Sequence, residues 1–363
     1  MKLERIIHRA LLSFTAAVAL TAMSPATSQE RMENAPPLPQ RLAVNIHNCG
    51  DGCWQEEHER LEEAGPRLYG VRISPTHLHD PTTGALLPDR YLAWALDAYA
   101  PDRVIVTISG NNNLGPTSPA LVLDSVQETL REHPRVTILQ LINEPLNFHG
   151  ITPQEYVWQY AGPVRNLLDK EINTPARTAA GLKPVELWSA PWFGKDSGVS
   201  QTRAMYDEAQ NWSGRKRRRL FDRYTVHDYP QQGASLNHAR TKVIDRLKEC
   251  LNIVRDGSPV SITETGTDSH ALHKEWFSVM VGMEAILDDR MHNIKGPEYV
   301  DPHPSVVFYD FREDMPEING EYGLLRFDLS SRTLVPTSDA WTLLQPAPPT
   351  TARVRRFMQQ GSR

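Results

Sequence analysis

Two glutamates, Glu144 and Glu264, stand in matching settings 120 positions apart. Each closes an apolar run. Val136 to Ile142 ends on Asn143-Glu144-Pro145, and Val260-Ser261-Ile262-Thr263 ends on Glu264-Thr265-Gly266. Runs of apolar and β-branched residues read as buried strands, and the proline after the first ends its ladder. A carboxylate at a buried strand end is costly unless it has partners. Two such ends facing one cleft suit glycosidic cleavage. There one carboxylic acid protonates the leaving oxygen and one carboxylate attacks or activates water.

Strands and helices that could position the pair alternate along the chain. The predicted strands are Leu42–Ile46, Tyr69–Ile73, Arg103–Ile108, Val136–Ile142, Val185–Ala190, Arg223–His227, Pro259–Thr263 and Ser305–Tyr309. Helices are expected at Trp54–Ala64, Pro88–Ala100, Ser118–Glu132, Pro153–Glu171 with a kink at Pro163, Ser235–Arg255, Ala271–His292 and Ser338–Leu344. Lys195–Leu220 reads as a long polar insertion and 322–336 as a turn or hairpin. Eight strands alternating with helices predict a parallel sheet, and eight is the number that closes a (β/α)8 TIM barrel. The rival is an open doubly wound sheet with a glycine-rich nucleotide loop after its first strand. That position holds Asn48-Cys49-Gly50-Asp51-Gly52-Cys53, which lacks the third glycine.

Asn143-Glu144-Pro145 after strand four, with Glu264 ending strand seven, resembles the retaining glycoside hydrolases of clan A, families 5 and 39 being nearest in pattern. The resemblance spans about residues 41–345. It implies a single (β/α)8 catalytic domain, with Glu144 as acid/base and Glu264 as nucleophile. Arg72 ends strand two, where many members keep an arginine near the nucleophile. His227-Asp228-Tyr229 ends strand six, where members keep a His-x-Tyr facing it. By the resemblance Glu144 carries a proton in the resting enzyme, while Arg72 and Tyr229 hold Glu264 ionised. Asn143 binds the sugar 2-hydroxyl, and His227 orients a carboxylate or binds a hydroxyl. The chain departs from the pattern at strand eight. Many members place a tryptophan there as the floor of the cleft; here the run is Val306-Val307-Phe308-Tyr309-Asp310-Phe311, leaving Tyr309 or Phe311 for that role. Trp188 and Trp192 bracket the end of strand five, as sugar-stacking faces or as core. Trp54, Asn111 and Asn112 are candidates for outer subsites. The substrate implied is a β-linked oligosaccharide or polysaccharide, with no cofactor and no metal.

Other clusters carry other readings. His77-Leu78-His79 resembles a metal-ligand pair, but it follows strand two without the further ligands a metallohydrolase barrel needs. Of three cysteines, Cys49 and Cys53 are close enough in sequence to pair in an oxidising compartment, with His47 and His58 flanking them. Cys250 falls on an apolar helical stripe and reads as a buried thiol. Arg215-Lys216-Arg217-Arg218-Arg219 reads as a solvated face, or as a contact for an acidic polymer.

Composition bounds the rest. A formal net charge of −5 over 363 residues disfavours nucleic acid as a partner. Residues 1–28 combine basic Lys2, Arg5 and Arg9 with an apolar stretch from Ala10 to Met23 and a small-residue end, the pattern of a signal peptide. A secreted or periplasmic protein without stable membrane insertion is therefore expected. Residues 29–40 form a proline-rich lead, and 346–363 a disordered tail. A non-catalytic glycan-binding barrel, needing neither glutamate, and a metal-dependent barrel hydrolase are the alternative functions.

Overall fold

The apolar runs do become strands: β1 (Leu42–Ile46), β2 (Gly70–Ile73), β3 (Val104–Ile108), β4 (Ile138–Leu141), β5 (Glu186–Trp188), β6 (Trp192–Phe193), β7 (Tyr224–His227), β8 (Val260–Thr265) and β9 (Val306–Phe308). The computed structural model describes residues 38–46, 54–73, 90–109, 118–193, 196–230, 234–311, 322–328 and 333–345. The strands make one sheet in the order β5-β4-β3-β2-β1-β9-β8-β7-β6, all parallel. The fifth stave is in two pieces rather than the single strand expected. Pro191, which has no N–H for a ladder, lies between β5 and β6. β5 pairs with β4 and β6 with β7, and a bridge from Trp188 to Arg223 closes the ring. The result is the eight-staved (β/α)8 barrel that the alternation predicts.

Helices cover the outside, each burying an apolar stripe on the sheet. α1 (Trp54–Ala64), α2 (Arg90–Ala98) and α3 (Pro119–Glu132) follow β1, β2 and β3. α3 starts at Ser118, whose hydroxyl accepts from the Leu121 N–H, with Pro119 in the first turn. A short α4 (Pro145–His149) follows β4. The helical stretch 153–172 then carries π-type turns at Tyr156–Ala161 and Leu168–Ile172. Where a kink at Pro163 was expected, the helix widens ahead of the residue that lacks a donor.

The polar insertion is corrected: Asp196–Lys216 is a helix, α5, belonging to the fifth unit. It packs on 153–172 at Gly162, where a Cβ would lie 2.7 Å from the Trp212 indole nitrogen. α6 (Leu236–Ile253) buries the expected stripe of Val243, Leu247, Cys250 and Leu251, with Ala239 beside it, and α7 (His273–Lys295) completes the outer layer. The stretch at 322–336 is an antiparallel hairpin, β10 (Leu325–Asp328) with β11 (Thr333–Pro336). Among the described residues no helix is long and apolar enough to cross a membrane.

The barrel interior is layered. An apolar layer of Ala43, Ile105, Ile138, Trp188 and Val307 is fully buried. Two residues further along the strands comes a polar layer centred on Gln140. Its amide donates to Thr225 (2.8 Å) and Thr263 (3.2 Å), and its carbonyl accepts from Arg72 (2.8 Å) and Thr107 (3.2 Å). This satisfied network lies under the carboxyl ends of the strands, where barrels of this kind carry their chemistry.

Candidate active site

β8 carries one residue more than either neighbour. Val226 pairs with Ile262 but His227 with Glu264, and the register against β9 also slips between Ile262 and Thr265. A bulge of this kind re-aims side chains. It lets two consecutive residues face the axis, Thr263 onto Gln140 and Glu264 into the mouth. Gly266 follows because the Tyr309 carbonyl comes so near that a Cβ would meet it at 2.3 Å.

The end of β4 is bent by other means. Ile142 and Glu144 both have positive φ, 59° and 44°. Such backbone costs about 1–3 kcal/mol per residue and gathers at functional sites. The Glu144 carbonyl accepts from the N–H groups of Asn147 and Phe148, so α4 holds the turn.

The two carboxylates thus converge. Glu144, His227 and Glu264 are all buried, and donor atoms of the three lie within 4.8 Å of one another. Glu264 accepts from Arg72 Nη1 at 2.5 Å and from the Tyr229 hydroxyl at 2.7 Å. Arg72, fully buried, also donates to Asn45 (2.9 Å), Gln140 (2.8 Å) and Asn143 (2.8 Å). Glu144 accepts from the Asn147 amide at 2.8 Å and meets His227 Nδ1 at 2.7 Å. The same Nδ1 is 3.2 Å from Glu264. Burial drives the His227 pKa down to about 3, Arg72 adding to this and Glu264 opposing it, so the ring is neutral. Burial first, and then the charge on Glu264, hold the Tyr229 phenol well above its usual range, which keeps it a hydrogen-bond donor.

Of the nine residues singled out as catalytic or substrate-binding, six form this cluster: Glu144, Glu264, Asn143, Arg72, His227 and Tyr229. With Asn143 Oδ1 taken by Arg72, the group it has left for a ligand is its amide NH2. Tyr309 stands at the rim, its ring 5.9 Å from those of both Tyr229 and Tyr322. Phe311 is instead buried against Trp341 and offers no cleft floor. Trp188 is a correction. It fills the barrel interior at 0% exposure, its N–H on Glu186 and its ring under Arg223, so no face is left for a sugar. Trp192 pairs its backbone with Val226, but its side chain lies outside the described residues. So do Cys49, Cys53, His47, His77, His79, Asn111, Asn112 and the Trp54 ring. Cys250 is a buried free thiol, as read. The basic run begins in the last turn of α5 and continues past its end. Arg215 covers the Trp158 ring, Arg218 pairs with Asp169, and Arg219 donates to the Asp256 carbonyl.

Asn45, Gln140 and Asn147 were missed. For Asn45 and Gln140 the signal was present, since a polar residue interrupts each of the runs Leu-Ala-Val-Asn-Ile, Gly-Val-Arg-Ile, Val-Ile-Val-Thr-Ile and Ile-Leu-Gln-Leu, whereas Asn147 lies on α4 outside them. Glu144, His227 and Glu264 also have the donor types to share a cation. The Arg72 guanidinium already sits on Glu264 and competes for that charge.

No family model and no curated protein matches the sequence. Solved structures match by shape. Over 84% of this chain and 70% of the other, it overlays a GH51 α-L-arabinofuranosidase from Thermotoga petrophila with a TM-score of 0.52 at 11% identity. An active-site mutant of a Rhizomucor miehei β-1,3-glucanosyltransferase, bound to laminaritriose, gives 0.49 at 14% identity over 82% of this chain and 96% of that one. A GH128 endo-β-1,3-glucanase from Sorangium cellulosum gives 0.48 at 13% identity over 84% and 98%. At 11% identity the likeness to the arabinofuranosidase is one of fold alone.

Proposed function

We propose that the chain is a retaining glycoside hydrolase acting on a β-linked glycan or glycoside. The observation that carries this reading is the unlike setting of two buried carboxylates within one mouth. Glu264 accepts hydrogen bonds from a guanidinium and a phenol, one of them a full cation. Glu144 has a neutral imidazole and an amide as described partners, and neither holds a negative charge as a cation does.

In the first step Glu264 attacks the anomeric carbon while Glu144 gives its proton to the glycosidic oxygen. The C–O bond to the leaving group breaks and a neutral alcohol departs. In the second step Glu144, now a carboxylate, takes a proton from water. The water oxygen bonds to the anomeric carbon, and Glu264 leaves as a carboxylate. An approach within 4.8 Å supports this route, because retaining pairs stand about 5–5.5 Å apart whereas inverting pairs leave room for a water. Asn143, through its amide NH2, is assigned the 2-hydroxyl, and Tyr309 the edge of the cleft.

A panel of β-linked glycans and aryl glycosides, with the product anomer followed by proton NMR, tests the reading. Release of the β-anomer first is expected. An α-anomer as first product, or wild-type turnover by Glu264→Gln, overturns it. Binding without reducing-end release would establish the glycan-binding alternative instead.

A further inference from the structure

The loop that brings Tyr229 to Glu264 is held from outside the barrel. His227 and Tyr229 both face the mouth, so Asp228 between them points outward, under α6. It is 2% exposed. Its partner is Arg246 on α6. The guanidinium donates through Nε (2.9 Å) and Nη2 (2.7 Å) to one carboxylate oxygen of Asp228, and Nη2 donates again to the Tyr229 carbonyl at 2.5 Å. The backbone of Asp228 is tied to the bulge itself. Its N–H donates to the Glu264 carbonyl at 3.0 Å, and its carbonyl accepts from the Thr265 hydroxyl at 2.6 Å. That hydroxyl in turn accepts from the Trp276 indole on α7 at 3.3 Å.

We infer that Arg246 and Asp228 form a clamp that fixes the β7 end against the β8 bulge and so sets where the Tyr229 hydroxyl meets Glu264. Arg246 is thus a positioning residue, which reaches no substrate and acts through Tyr229. Arg290, like Arg246 a half-buried arginine of the outer layer, does not do this. Arg290 gathers the carbonyls of Leu251, Val254 and Ser258, all at the far end of α6 from the mouth. Only a fork matches two acceptors on adjacent residues, which is why a lysine does not replace it.

The kinetic part rests on the glycosidase reading, but the clamp can be tested without it. In protein labelled with 3-fluorotyrosine, the Tyr229 fluorine resonance is identified by its loss in Tyr229→Phe. Arg246→Met should shift or broaden that resonance. Turnover of an aryl glycoside should fall about 10- to 100-fold with KM within about twofold, the scale of a misplaced reacting group. In a Tyr229→Phe background the same substitution should add less than about twofold, because both act through one contact. Arg246→Lys, which keeps the charge and the fold, should give an intermediate shift and an intermediate kcat. An unmoved fluorine resonance in Arg246→Met or Arg246→Lys overturns the clamp, as do kcat losses that multiply with that of Tyr229→Phe. If the wild type cleaves no glycoside, the glycosidase reading fails, while the fluorine spectra still decide the clamp.

Discussion

The barrel has two buried clusters of arginine and carboxylate, one at each end, and they are built differently. At the floor, Arg223 binds both oxygens of Asp301 at 2.7 and 2.8 Å, and Arg41 stands 3.4 Å from the same carboxylate. Glu284 accepts from the Gln40 and Arg41 N–H groups and from the Ser305 hydroxyl. Burial alone would raise the Asp301 pKa, but Arg223, then His303 and Arg41, more than offset it and hold the carboxyl below its usual value. At the mouth one guanidinium is shared among Glu264, Asn45, Gln140 and Asn143, and a second carboxylate faces a neutral ring. The floor closes its charges on one another. Among the described residues the mouth keeps two carboxylates near one arginine, an arrangement suited to moving a proton and making a bond.

The sharpest break between the two ends comes from one substitution at each. Glu264→Gln should lower turnover by at least about 10,000-fold, as loss of the proposed nucleophile would, while leaving the thermal midpoint near that of the wild type. Asp301→Asn removes a buried partner of two arginines and should cost about 3–5 kcal/mol of stability. The folded fraction of that variant should keep its turnover. Denaturant melts and assays on the two purified variants check both halves. Matching losses of stability would mean that the mouth is a structural ion cluster like the floor.

Next in size is the polar layer between them. Gln140→Leu fits the space but strands Arg72 Nε and two threonine hydroxyls. A buried donor without an acceptor costs about 1–3 kcal/mol, so a loss of that order is expected in chemical denaturation. Turnover should fall as well, because Arg72 loses a contact that aims it at Glu264. An apolar swap that raised stability would place this layer with ion clusters that are better replaced by hydrocarbon.

What could be read in the sequence divides along the same lines. The two strand-end glutamates, Arg72 and the His-x-Tyr were legible because each ends an apolar run. The polar layer was equally present, as Asn45, Thr107, Gln140, Thr225 and Thr263, but lone polar residues inside strands do not announce a common level. That level exists only once the register is set. Trp188 was left between a stacking face and the core for a related reason. Period two says that it faces the axis, not whether it lies in a packed layer or at the open end. α5 was hidden by its polar composition, although Val199, Met205, Tyr206, Ala209 and Trp212 lie on its buried side at helical spacing. The β8 bulge, which turns Glu264 inward, is a property of three strands together and has no local signature.

Tyr229→Phe should have a smaller effect, lowering kcat about 10- to 100-fold with stability nearly unchanged, since it deletes one of two donors on Glu264. A larger change in KM than in kcat would assign Tyr229 to binding the sugar rather than to the nucleophile.

The smallest expected effect separates the two ends by their response to acid. His227 lies between two carboxylates, and proximity alone would favour an imidazolium. Two observations oppose that. Burial brings its pKa to about 3. Its Nε2 is also buried without a hydrogen-bond partner among the described residues, so a second N–H would have nowhere to donate. The folded pKa is thus below the unfolded value of about 6.5. Between those values the unfolded chain takes up a proton that the folded chain refuses, so this histidine's contribution to stability is lost as pH falls from about 6.5 toward 3. His227→Gln removes that linkage. Thermal midpoints of wild type and variant, measured from pH 7 to pH 4, should approach one another as the pH drops. Midpoints that diverge over the same range would show a charged ring stabilised by both glutamates. The mouth would then balance its charges as the floor does, and Glu144 would lose the uncharged setting on which its role as the acid depends.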